Sequence, residues 1–93
     1  MPLATGSLRK IGGRIRQARK EKGYSQERLA ELCGISDTYL GRLERGEKQP
    51  SLDTLVRLTE CLGVSLTDVL VDLDDVRDRE RLKARIKTLL DLL

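Results

Sequence analysis

Thr38 and Arg42 stand four residues apart in DTYLGRLER, Asp37 to Arg45, a stretch with the pattern of a short helix. That spacing places both side chains on one face. Arginine offers a planar fork of donors, threonine a hydroxyl beside a methyl, and Asp37 a carboxylate that only accepts when ionised. Such a set suits the recognition of hydrogen-bonding edges better than bond breaking. The chain contains no His. It also has no convincing nucleophile with a base and no phosphate loop, so an enzyme is the weaker reading.

Something must hold that short helix in place. Leu40 and Leu43 provide its inward face, leaving Asp37, Thr38, Gly41, Arg42 and Arg45 on the outer side. Immediately upstream, QERLAELC carries Leu29, Ala30 and Cys33 on one face, and Ala30 is small enough for a second helix to come close. Gly34 can take the left-handed conformation that closes a helix. Ile35 then turns inward, and Ser36 is placed to cap the next helix. Two helices this short are marginal alone. The flanking segments must support them.

Those residues carry a resemblance. Gln26, Ala30, Gly34, Leu40 and Leu43, with the flanking text YSQERLAELCGIS and YLGRLERGEKQPSLDTL, resemble the helix-turn-helix of the Cro/repressor-type (XRE-like) family from about Ile11 to Leu70. The resemblance implies an all-α, five-helix repressor-like DNA-binding domain, to which this sequence adds a C-terminal amphipathic helix. It implies that residues near the start of the Asp37–Arg45 helix enter the major groove. Arg42 then matches the O6 and N7 acceptors of guanine, and Thr38 a thymine methyl or a phosphate. Asp37 can accept from cytosine N4 or simply favour the helix dipole.

The same resemblance implies that the Gln26 amide reaches a DNA phosphate, with Arg28 near enough to assist; a plain surface glutamine is the alternative. It also implies an ion pair between Arg19 and Glu44 that fixes orientation, against an exposed pair worth at most about 1 kcal/mol. Tyr39 is read as packing over the corner with its hydroxyl on a phosphate. Arg45, Lys48 and Gln49 are placed for backbone contacts, with a solvated loop as the alternative reading.

Charge distribution agrees with a phosphate-bearing partner. Residues 1–50 hold eleven Lys/Arg against six Asp/Glu, and residues 51–93 hold seven against nine, so positive charge gathers around the motif. A solvated mixed-charge surface remains the plain alternative. With 93 residues, two Tyr and neither Phe nor Trp, one small aliphatic core is expected. Cys33 and Cys61 read as buried thiols rather than a disulfide, a redox sensor or metal ligands, because their spacing fits no CxxC or metal pattern. A reducing cytoplasm is expected, and neither a signal peptide nor a membrane span is legible. No metal, cofactor or small-molecule ligand is expected.

In chain order, residues 1–7 are expected to form a loose arm; Arg9 and Lys10 just beyond can touch DNA, with a frayed terminus as the favoured account. A first helix is expected over Leu8–Lys22, with Leu8, Ile11, Ile15 and Ala18 inward and Lys10, Arg14, Arg16, Gln17, Lys20 and Glu21 outward. Gly12 and Gly13 are read as a helix-start pair. Ser51 caps a helix to Leu62, and SLTD at Ser65 opens a short one. The DNA-binding unit is expected over 8–71.

Residues 72–93 are expected to add a helix whose Leu82, Ile86, Leu89 and Leu93 recur at four, three and four. That seam is read as a homodimer contact, with folding back as the alternative. The expected function is therefore sequence-specific binding of double-stranded DNA by a homodimeric repressor or autoregulator. A protein-interaction module such as an antitoxin or adaptor, using the C-terminal helix, is the rival.

Overall fold

The computed structural model describes residues 3–70, 73 and 76–92, and every regular element among them is an α-helix. In chain order these are α1 (Thr5–Glu21), α2 (Gln26–Cys33), α3 (Asp37–Glu44), α4 (Leu52–Leu62), α5 (Leu66–Leu70) and α6 (Val76–Asp91). Four serines open the middle helices by local chemistry. Ser25, Ser36, Ser51 and Ser65 each accept, through Oγ, the amide of the residue three positions on, at 3.0–3.1 Å. These bonds satisfy donors that a helix start would otherwise leave open.

The α2–α3 corner closes as its residues dictate. Gly34 sits at φ 68°, and the Ile35 amide reaches back to the Ala30 carbonyl at 3.0 Å, which terminates α2 and leaves Ser36 in position to start α3. The core beneath is aliphatic. Ile11 and Ile15 from α1, Leu29 and Ala30 from α2, Leu40 and Leu43 from α3, and Leu55, Leu58 and Leu62 from α4 are all buried. α1 and α2 both pack on α3, so the outward helix is gripped from two sides.

α1 departs from the expected bounds. It starts at Thr5, three residues before Leu8, and no side chain caps it. Tertiary partners hold this end: the Leu3 amide donates to Gln49 Oε1 and the Ala4 amide to Asp78 Oδ2. Ser7 replaces Leu8 in the buried stripe, and Leu8 is only half-buried. Gly12 and Gly13 lie in the middle of this helix rather than at its start. Arg14 is not simply on the outer face either, since its Nη1 donates to the Val69 carbonyl at 2.9 Å.

α6 folds back on the domain. Leu82 is 8% exposed within the common core and Ile86 packs against it, so Leu82 is not available as the dimer contact expected of it. A core without large aromatics takes up this leucine because the apolar surface is otherwise left in water. Leu89, Leu90 and Leu92 remain 41%, 62% and 77% exposed. Leu93, the last residue of the expected seam, lies outside the described residues.

Candidate nucleic-acid interface

α3 presents the polar face read from the sequence. Asp37, Thr38 and Arg42 are all exposed on it. Among the described residues the Arg42 guanidinium makes no hydrogen bond or ion pair, so its whole donor fork is open to a ligand. Asp37 is occupied locally: its Oδ1 accepts the Thr38 amide at 2.9 Å, at the positive end of the helix. Its geometry therefore serves the helix start as well as any outward contact.

Beneath α3, Arg19 and Glu44 meet in a two-pronged pair. Arg19 Nε donates to Glu44 Oε2 at 2.7 Å and Nη2 to Oε1 at 3.0 Å, while Nη1 holds the Tyr24 carbonyl at 2.8 Å. The residues are 8% and 6% exposed, so this is a buried pair joining α1 to the end of α3. Gln26 joins it, with Nε2 donating to Glu44 Oε1 at 3.1 Å. That bond uses one of the two amide N–H groups and sets the plane of the other. One carboxylate thus fixes the first turn of α2 against the last turn of α3.

The family described as Helix-turn-helix matches residues 15–69. The chain belongs to it. The prophage-derived HTH-type transcriptional regulator YonR of Bacillus subtilis is 42% identical over 73 residues, covering 71% of this chain and 67% of that one. The biofilm master regulator SinR, solved in complex with DNA, is 44% identical with a TM-score of 0.62, covering 64% of this chain and 97% of that one. The clp gene regulator ClgR from Corynebacterium glutamicum is 33% identical with a TM-score of 0.69 and covers 99% of this chain and 92% of that one.

Around the helix-turn-helix, the expected phosphate ligands differ in how free they are. Arg28 is paired with Glu31 at 3.3 Å and Arg45 with Glu47 at 2.8 Å, all four well exposed. Exposed pairs of this kind hold by about 0–1 kcal/mol, so a phosphate can displace either acid cheaply. Lys48 is exposed with no partner among the described residues. Tyr39 is half-buried and packs against the core. Gln49 also has a role within the chain: its side-chain carbonyl oxygen accepts the Leu3 amide.

Two residues that brace the helix-turn-helix from α1 and α4 were misread or missed in the sequence. A Cβ on Gly12 would overlap the Leu43 carbonyl oxygen and come within 2.6 Å of the Glu44 oxygen, so α1 touches the backbone of α3 there. A glycine inside an unbroken helical period was the available signal. Arg57 reaches from α4 to the Cys33 carbonyl at 3.5 Å, tying down the end of α2. Gly41 has flexible neighbours instead: the nearest atoms to a Cβ there would be Arg45 Nη1 at 3.1 Å and Gln26 Oε1 at 3.5 Å.

Both cysteines are free thiols. Burial first, and then the Cys61 thiol beside it, pushes Cys33 up from 9.0 to about 12. The folded chain thus keeps a proton that the unfolded chain releases first. The associated stability is complete below pH 9.0 and is lost as pH rises towards about 12. Urea midpoints measured across that range are expected to fall more steeply for the wild type than for Cys33→Ala. Parallel slopes would refute a buried, protonated Cys33.

Proposed function

We propose that this chain is a sequence-specific DNA-binding transcription regulator, acting as a homodimeric repressor or autoregulator on a roughly palindromic operator. One observation carries the reading: α3 holds an open Arg42 fork outward while a buried ion pair fixes that helix from behind. The likeness to SinR, itself solved with DNA, supports it. Arg42 reads guanine, Thr38 a thymine methyl or phosphate, and Asp37 a cytosine amine. Gln26, Arg28, Tyr39, Arg45 and Lys48 grip the phosphates that set the register.

Dimerisation sets two recognition helices about 34 Å apart on one side of the duplex. The apolar groove formed by Val56, Leu66, Ile86, Leu89, Leu90 and Leu92 favours a second copy as its cover; it keeps Ile86 and Leu89 of the expected Leu82, Ile86, Leu89 and Leu93 seam, while Leu82 is buried in the core. The same groove supports the rival reading, a protein-interaction module. Free thiols suit a reducing cytoplasm. No helix among the described residues is long and apolar enough to cross a membrane.

Fluorescence anisotropy on a selected operator and on scrambled DNA tests the reading. The wild type is expected to prefer the operator and to weaken with salt, and Arg42→Ala to lose about 1–3 kcal/mol of that discrimination. Absence of salt-dependent binding to any duplex would transfer weight to the protein-interaction reading.

A further inference from the structure

Turning Leu82 into the core has a geometric consequence for its neighbours on α6. Arg81 and Arg85, one helical turn apart, line a crevice with Gln49, Pro50 and Ser51, the loop that follows α3. Both arginines are exposed, and neither has a hydrogen bond or ion pair among the described residues. Among the described residues, the α6 acids beside them are engaged elsewhere: Asp78 is buried and bonded to the Ala4 amide, and Glu80 faces Lys83 at 3.9 Å. Arg45 and Lys48, both exposed, precede Gln49, Pro50 and Ser51 in the same loop. Arg9 is also close, since its backbone lies within 2.9 Å of where a Cβ on Gly46 would be.

Exposed basic side chains therefore occur on α3, in the 45–51 loop, where Glu47 partners Arg45, and on α6 where it borders that loop. Two guanidinium groups one helical turn apart, with no hydrogen bond or ion pair among the described residues, match phosphate oxygens in both charge and geometry. We infer that Arg81 and Arg85 bind phosphates of the same DNA duplex, flanking the bases that α3 reads, so that α6 extends the DNA interface as well as completing the core. This inference rests on the DNA-binding reading above. Phosphate contacts of this kind add affinity and register without sequence information.

The test uses the full chain, a fluorescein-labelled operator recovered by selection, and a mixed-sequence duplex, each titrated over a salt series. Arg81→Gln/Arg85→Gln is expected to bind both duplexes more weakly. Its slope of log affinity against log salt should be shallower by about 0.9 for each phosphate that a subunit no longer neutralises. The preference for operator over mixed sequence should stay unchanged, and Arg81→Lys/Arg85→Lys should recover most of the slope. An unchanged slope in the glutamine variant, with wild-type binding intact, overturns the inference alone. So does a slope that falls equally in the lysine variant, because the effect would then be packing. Failure of the wild type to bind either duplex overturns the DNA-binding reading itself.

Discussion

Glu44→Ala is expected to remove about 3–5 kcal/mol of folding stability, because it leaves the Arg19 guanidinium buried without its counter-charge. Domains of this kind hold about 5–15 kcal/mol in total, so the variant should sit near the edge of unfolding. Urea denaturation followed by circular dichroism measures it. Arg19→Met/Glu44→Leu is the informative partner. Replacing both charges by apolar side chains of similar volume removes the orphaned charge, and such swaps are often neutral or stabilising. The double variant should therefore be far more stable than Glu44→Ala. It should nonetheless bind DNA less well, because Gln26 loses the acceptor that orients its amide. A loss below about 1 kcal/mol in Glu44→Ala would mean that the pair behaves as an exposed one.

Gly12→Ala and Gly13→Ala should move stability in opposite directions although the sites are adjacent in one helix. Alanine ordinarily gains about 1 kcal/mol over glycine in a helix interior. Gly13 has nothing within 4 Å of a new Cβ and should show that gain as a rise of several degrees in Tm. At Gly12 the Cβ meets the Leu43 and Glu44 carbonyl oxygens, which are backbone and cannot rotate away. α1 and α3 must separate, and overpacking of this type costs about 1–3 kcal/mol. The displaced element is the recognition helix, so operator affinity should fall together with Tm. Equal melting temperatures for the two variants would contradict the close approach.

Much of the fold was legible because its signals are short-range. A serine three residues before an open amide, a glycine at a left-handed corner and leucines at helical spacing act within one or two turns. The end of α2 and the starts of α3 and α4 could accordingly be read from Gly34, Ser36 and Ser51. The outward placement of Thr38 and Arg42 follows from the same periodicity, since Leu40 and Leu43 leave no other face for them. The meeting of Arg19 and Glu44 is of another kind. Only resemblance implied it, because nothing local relates residues 25 positions apart.

Longer separations still govern the remaining features. The start of α1 depends on Gln49 and Asp78, which are 46 and 74 residues from the amides they accept. Arg14 finds the Val69 carbonyl 55 positions away, and the lack of room for a Cβ at Gly12 arises only when α3 is laid against it. The heptad-like spacing on α6 suggested a seam for a second copy, yet Leu82 is spent within the chain. Periodicity tells which residues share a helix face but not what covers that face. The helices, their caps and the polar face of α3 were already set in the order of the amino acids, because they follow from local backbone and side-chain chemistry. The burial of the ion pair, the contact at Gly12 and the rotation that turns Arg81 and Arg85 towards the α3–α4 loop were settled by packing, where segments distant in sequence compete for the same apolar surface.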